Sequence, residues 1–482
     1  MDLQKIYDVA RKIGYVPCVE SYVRIGDEAF LLAKSGAEKM LMIFGQLPAG
    51  FSGKQMSASS EEFFLCPLSH VNAAALKKIC PWLKPISANG KEKSFGTGDR
   101  LGLLTGAHIA AFAETNVFPI LAQQSIRELT LTGRTNQSMM EDVMWQIFEA
   151  GYKGGYGADG DHLKEVDDIK RAIREGSTFI TLDCSEYVPS RSKLDEIHLD
   201  ILEREYCHSN FHLAGVKLSF DRKVLKKILS EYQDAVRHIC TVYENAISSC
   251  KHDLSFEISL DEASAATSAE AHFFIANELK KKGVFLYSIA PKFCGEFQKG
   301  IDYIGTPEEF QENLRMHARI AEYFGYKISI HSGSDKFKIL KYIGSECHGK
   351  FHLKTSGTSW VESVRVIAMR DPVFFRKMLR LACQRFGDAQ KYYHVSARVE
   401  SLPDIDLIRA EKLPDLMDRP DVRQIIHITY GAFLNPGNDS KNLVFRKKIY
   451  DILTENKDVV DKIVAGHIKK HIEKIDEGTK KK

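Results

Sequence analysis

The sequence predicts an α/β protein: a (β/α)8 barrel of the TIM type with an N-terminal α+β extension and a helical C-terminal cover. Three observations carry this. From about residue 96, short apolar runs alternate with helix-length amphipathic segments, which argues for a parallel sheet. The runs fall at 117–122, 155–161, 178–183, 254–259, 284–290, 327–331, 351–355 and 391–396, and eight is the count of such a barrel. Within the runs, alternate positions are polar: Ser255, Glu257 and Ser259 oppose Phe256 and Ile258, and Ser329 and His331 oppose Ile328 and Ile330. The polar set is expected to point inward, toward the C-terminal rim where sites of this fold lie.

Residues 1–95 read as a supporting α+β domain, opened by a helix with Leu3, Ile6, Val9 and Ile13 on one face. Its boundary is expected in the charged stretch 91–94, after Pro85. The barrel is expected over 96–405. It is interrupted by an elaboration at 186–253, longer than a βα connection requires, which is expected to lie over the mouth as a lid. Residues 406–482 read as C-terminal helices packed on the barrel.

Composition narrows the function classes. A net charge of +3, with basic and acidic residues interspersed, gives no signature for nucleic acid. No apolar run approaches the ~18–20 residues of a membrane span, and the N-terminus lacks the apolar core of a signal peptide. Ten cysteines without a CxxC pair suggest reduced thiols, so a cytoplasmic location is expected. The oligomeric state is left open between a monomer and a homo-oligomer.

Gly155-Tyr156-Gly157-Ala158-Asp159-Gly160-Asp161-His162-Leu163-Lys164 puts acids, an imidazole and an amine into a Gly-rich segment, which is poor structural material. A polar turn capping a helix is the competing explanation. His331-Ser332-Gly333-Ser334-Asp335-Lys336 repeats the chemistry after another strand, and His352 stands in a third. Three strand-end histidines, His162, His331 and His352, are the donor type a borderline divalent ion prefers, and are the expected metal ligands. Glu257, facing inward among serines, is expected as a general acid, a base or a ligand. Arg127, Lys292, Lys336 and Lys354 could supply charge to an anionic substrate.

Other signals carry less. The segment Gly344 to Lys350 approaches P-loop spacing, but Phe351 stands in place of Ser or Thr and a strand follows. The His467/His471 pair has ligand spacing but is expected on an exposed, Lys-rich helix.

Taken together, Ser94-Phe95-Gly96-Thr97-Gly98-Asp99-Arg100-Leu101-Gly102, Ala122-Gln123-Gln124-Ser125, Gly157-Ala158-Asp159-Gly160-Asp161-His162, His331-Ser332-Gly333-Ser334-Asp335-Lys336-Phe337 and the segment from His352 to Trp360 make the chain resemble the tagaturonate/fructuronate epimerase family. The resemblance implies a divalent-metal-dependent isomerase of hexuronate catabolism. Its substrate would be a small sugar acid, with tagatose/fructose-type ketohexoses as further candidates. The metal would be Mn, Ni, Co or Zn. Lys292 departs from the Arg expected there. For this chemistry Asp161 is the expected proton acceptor and Glu257 the donor. Gln124, Arg127, Lys164, Lys292, Asp335, Lys336 and Lys354 are the expected substrate contacts. A class II metal-dependent aldolase or isomerase for another sugar is the alternative, and a non-catalytic sugar-acid sensor is a rival from a different class.

Overall fold

Eight parallel strands close on themselves in the computed structural model, which describes residues 2–480 apart from 37, 210, 214, 436, 438 and 439. They are β1 (Lys93–Thr97), β2 (Phe118–Ser125), β3 (Gly157–Leu163), β4 (Phe179–Asp183), β5 (Ser255–Ser259), β6 (Ser288–Ala290), β7 (Lys327–Ile330) and β8 (Phe351–Thr355). Neighbours in sequence are neighbours in the sheet, and β8 closes on β1 with Phe351 opposite Lys93 and Thr355 opposite Thr97. The parity holds: Phe256 and Ile258 join the apolar core under the helices, while the Glu257 carboxylate lies inside the barrel among Thr181, Ser288, His331 and Lys354.

The strand set differs from expectation at its ends. Residues 391–396 are irregular, and Tyr393 and Val395 pack into the C-terminal helical core. The missing strand is β1, which begins inside the stretch 91–94 expected as the domain boundary. Its inward Ser94 bonds to Tyr287 and His352, Lys93 pairs with Asp476 at 3.0 Å, and Phe95 is its one large apolar side chain. Such a strand has no apolar run to detect.

The N-terminal residues form a six-stranded antiparallel sheet over Val16–Pro67. Helix Leu3–Lys12 covers one face, with Ile6 and Val9 against Leu31, Met42 and Phe63. The other face, with Phe30, Leu32, Leu41 and Ile43, merges into the barrel's helical layer. The elaboration supplies helices Glu196–Tyr206 and Arg222–Val242 with a short hairpin between. It meets the rim at Lys164, whose carbonyl accepts from His238 Nε2, and the His238 ring stacks on Tyr187 at 3.9 Å. Among the described residues no helix is long and apolar enough to cross a membrane.

The C-terminal helices pack around Trp360, Phe375 and Tyr430 as a second core. The last of them, Lys457–Thr479, crosses Leu340–Glu346 through two glycines. A Cβ on Gly344 would lie 2.0 Å from the Ile475 carbonyl oxygen, and one on Gly478 would lie 1.7 Å from that of Lys341. Backbone has to yield in either case. Gly344→Ala and Gly478→Ala are each expected to lower stability by about 1–3 kcal/mol through overpacking. Urea-unfolding midpoints equal to that of the unsubstituted protein would show that the helices do not cross this closely.

Candidate active site

The rim of β3 is built by a bulge. Between Gly160 and Leu163 it spends three steps where β4 spends two, from Ile180 to Leu182. His162 takes a φ of 55°, a left-handed conformation costly for a residue with a Cβ. In a regular strand Asp161 and His162 would face opposite sides. Here the bulge turns the imidazole back, and His162 Nδ1 donates to Asp161 at 2.7 Å. The loop after β7 has positive φ at Ser332 (50°) and Asp335 (63°). His331 and Ser332 therefore line the mouth, while Asp335 and Lys336 turn away from it.

Beneath the rim lies a buried charge network. Lys354 Nζ is 2.6 Å from Asp159, 2.8 Å from Asp161 and 3.1 Å from Glu257. Glu257 also accepts from Ser288 at 2.5 Å and from His331 Nε2 at 2.7 Å, and His331 Nδ1 donates to Asp261 at 2.9 Å. Burial alone would raise every one of these carboxyls. In Asp161 it is outweighed by Lys354 and His162, in Glu257 by Lys354 and His331, and in Asp261 by His331 and His162, so all three are held well below the usual carboxylate range. Asp159 goes the other way, up to about 7, through burial and its acidic neighbours despite Lys354. Burial opposes the charge of His162 and His331 too, yet their carboxylates raise both.

His162, Asp261 and His331 each offer a donor atom within 4.8 Å of the others, a group that could hold a metal ion. The sides facing Asp261 are His162 Nε2, at 3.8 Å, and His331 Nδ1. Each ring's other nitrogen is bonded to a carboxylate, Asp161 or Glu257. Metal-binding histidines almost always have such a partner, which fixes tautomer and orientation. The donor set therefore fits a borderline divalent ion.

His352 is not brought to this group. It lies on the inward face of β8 two residues before Lys354, about 7 Å deeper at strand rise. Its Nδ1 bonds to Ser94 at 2.9 Å, its ring sits 4.9 Å from Phe179, and burial pushes its pKa down to about 3. Depth also separates Glu257 from the cavity lining. A second group, Asp335, His467 and His471, has donor atoms equally close, and the expectation of an exposed helix is corrected, because His471 is fully buried. Its donors are engaged, however. His471 Nε2 accepts from the Asp335 N–H, its Nδ1 donates to the His467 carbonyl, and Arg423 lies 3.1 Å from Asp335.

The mouth cavity has a volume of about 390 Å³. Of the expected residues, Asp161, His162, His331, Arg127, Lys164 and Lys354 line it. Gln124 faces away and accepts from Arg134 at 2.9 Å, while its neighbour Gln123 lines the cavity. Lys292 lines an adjoining cavity, where its ammonium donates to the Ala263 carbonyl. Lys336 donates to the carbonyls of Gln298, Ile301 and Ser334, so it supports the loop instead of meeting a ligand in the mouth. Asp335 is tied to Arg423, His467 and Thr358. Sequence reasoning missed Asp261 and Lys299. Asp261 had a signal, since it continues the inward parity of Glu257 and Ser259. Lys299, in an irregular segment, had none.

A model of the tagaturonate epimerase family matches residues 19–475 of the chain. The tagaturonate/fructuronate epimerase of Thermotoga maritima is 39% identical over 473 residues, covering 95% of this chain and 97% of that protein. Among solved structures, a glycerol-complexed fructuronate-tagaturonate epimerase from Cohnella laeviribosi matches with a TM-score of 0.93 at 35% identity, over 98% of this chain and 99% of that one. The native crystal structure of that Cohnella protein matches with a TM-score of 0.92.

Lys354 gives a direct test of the interior. Lys354→Met removes the cation from three carboxylates and is expected to cost about 3–5 kcal/mol at pH 8. Without the ammonium their folded-state pKa values rise above the unfolded ones near 4, so stability is present at low pH and lost as pH climbs through the raised values. Asp159 already stands at about 7, so the loss should be smaller at pH 5.5 than at pH 8. Equal shifts of the urea midpoint at the two pH values would contradict this network.

Proposed function

The chain belongs to the tagaturonate epimerase family, and on that premise we propose how its barrel mouth inverts one carbon of a keto-hexuronate. It is an isomerase of hexuronate catabolism that interconverts tagaturonate and fructuronate. The two differ at the carbon β to the ketone. A proton there is not acidified by the carbonyl, whereas opening the bond between the α and β carbons leaves the electron pair conjugated with the ketone. Retro-aldol opening, rotation of the aldehyde half and re-addition on its other face is therefore the favoured route.

The observation that carries the assignment of residues is the triad His162, Asp261 and His331, each imidazole held from behind by a carboxylate. These three are the proposed ligands of a divalent Mn, Co, Ni or Zn ion, which would supply charge against the oxyanion developing as the bond opens. Asp161, ionised and lining the cavity, takes the proton from the hydroxyl on the inverted carbon as the carbon–carbon bond breaks, and returns it when the bond re-forms. Lys354 keeps Asp161 charged. Glu257 is reassigned from proton donor to positioning residue for His331, because it is ionised and lies below the cavity lining. Arg127 and Lys164 remain the proposed polar contacts of the sugar.

The roles separate experimentally. Asp161→Asn is expected to lower kcat by on the order of 10²–10⁴ with metal in excess. Glu257→Gln should weaken metal affinity about 10–100-fold and recover turnover when metal is added. A Glu257→Gln enzyme that stays impaired at saturating metal, measured by titrating each ion into chelator-stripped protein, would return Glu257 to the chemistry.

Deuterium oxide distinguishes the routes. Retro-aldol opening places no solvent deuterium on the inverted carbon, so NMR of the product should show protium there. Deuterium at that carbon would establish direct deprotonation, and release of two fragments would establish an aldolase instead.

A further inference from the structure

Four lysine and arginine side chains line the mouth cavity: Arg127, Lys164, Lys299 and Lys354. Three have acidic partners. Lys354 is held by its carboxylates, Lys164 lies 2.7 Å from Glu186 and 3.5 Å from Asp183, and Arg127 lies 3.6 Å from Glu262. Lys299 differs. Its ammonium donates to the Ser332 hydroxyl at 2.8 Å, and no described carboxylate is paired with it within the 4.0 Å of an ion pair. An ammonium carries three donors, so two remain for a partner arriving from the cavity.

Its position fits an anionic partner. Lys299 lines both the mouth cavity and the adjoining one, so it stands where the two meet. Through Ser332 it is anchored one residue from His331, at the border of the mouth cavity. Burial disfavours this ammonium despite the nearby charges of Glu128, Glu262 and Asp261, and an anionic partner in hydrogen-bond contact would stabilise it. The ligand chemistry that completes it is a carboxylate, which a keto-hexuronate carries and a neutral ketohexose lacks.

We propose that Lys299 holds the terminal carboxylate of the substrate and thereby makes the site select keto-hexuronates over neutral ketohexoses. This rests on the epimerase reading above. It adds the residue that distinguishes the substrate classes, a task for which Lys336, with all three donors on backbone carbonyls, is not free and for which Lys292 lies outside the mouth cavity.

The test compares steady-state kinetics of the metal-loaded enzyme on tagaturonate and tagatose for the unsubstituted protein, Lys299→Met and Lys299→Arg. Lys299→Met should raise KM for tagaturonate on the order of 100-fold, with a smaller change in kcat, and should lower the tagaturonate-to-tagatose ratio of kcat/KM by a similar factor. Lys299→Arg, which keeps the charge, should stay within about 10-fold of the unsubstituted enzyme. Lys299→Gln repeats the measurement if the Met variant does not fold, as judged by its unfolding midpoint.

An unchanged KM for tagaturonate, or a loss confined to kcat, would overturn the assignment. So would equal losses on both sugars. Absence of tagaturonate turnover by the unsubstituted enzyme is a different result, which removes the epimerase reading itself.

Discussion

Lys354 brings one positive charge within 3.1 Å of Asp159, Asp161 and Glu257 in the barrel interior, where water screens charges least. The charges around it account for the state of the whole mouth. With Asp261, four acids face one ammonium and two imidazoles. The protons held on His162 and His331 bring the cations to three, and Asp159 keeps its own proton up to about pH 7. The interior is then neutral. A divalent ion on His162, Asp261 and His331 carries as much positive charge as those two imidazolium protons. The same carboxylates therefore suit a metal without rearranging the lysine beneath it.

Neutrality alone does not place the donors, and here backbone geometry matters. The bulge in β3 and the positive φ of His162 let two adjacent residues face one cavity, which strand alternation forbids. Asp161 can then hold His162 from behind and still border the cavity. His331 reaches the same point from β7 and is held by Glu257 from a layer below. One acid of the pair touches the cavity and the other does not. That difference in depth separates a proton acceptor from a positioning residue.

Much of this was legible in the sequence, for a physical reason. Strand parity is a strict alternation, and it placed Glu257 and His331 on the inward face. Parity fixes the side of a strand but not the depth along the barrel axis, which is why His352 was grouped with histidines that lie a layer above it. It also ends where the strand ends. Past β7, left-handed turns at Ser332 and Asp335 reverse the direction in which side chains point, so Asp335 and Lys336 read as partners of His331 although they serve the opposite face of the loop. β1 was hidden because Ser94 and Gly96 leave it no apolar periodicity.

That opposite face ties the mouth to the end of the chain. Asp335 accepts from His467 at 2.7 Å and from Thr358, faces Arg423 at 3.1 Å, and gives its backbone N–H to His471. Helix Lys457–Thr479 thus grips the same short loop whose front presents His331 and Ser332. The ligand-like spacing of His467 and His471 follows from this task, because two imidazoles one turn apart can clasp one aspartate from the same helix face. With Arg423 alongside, a further cation there would be repelled, whereas His162, Asp261 and His331 have Lys354 below and three acids around them. Two clusters of the same residue types, on the two faces of one loop, are therefore suited to opposite work: one holds the protein to itself, and the other is open to the cavity.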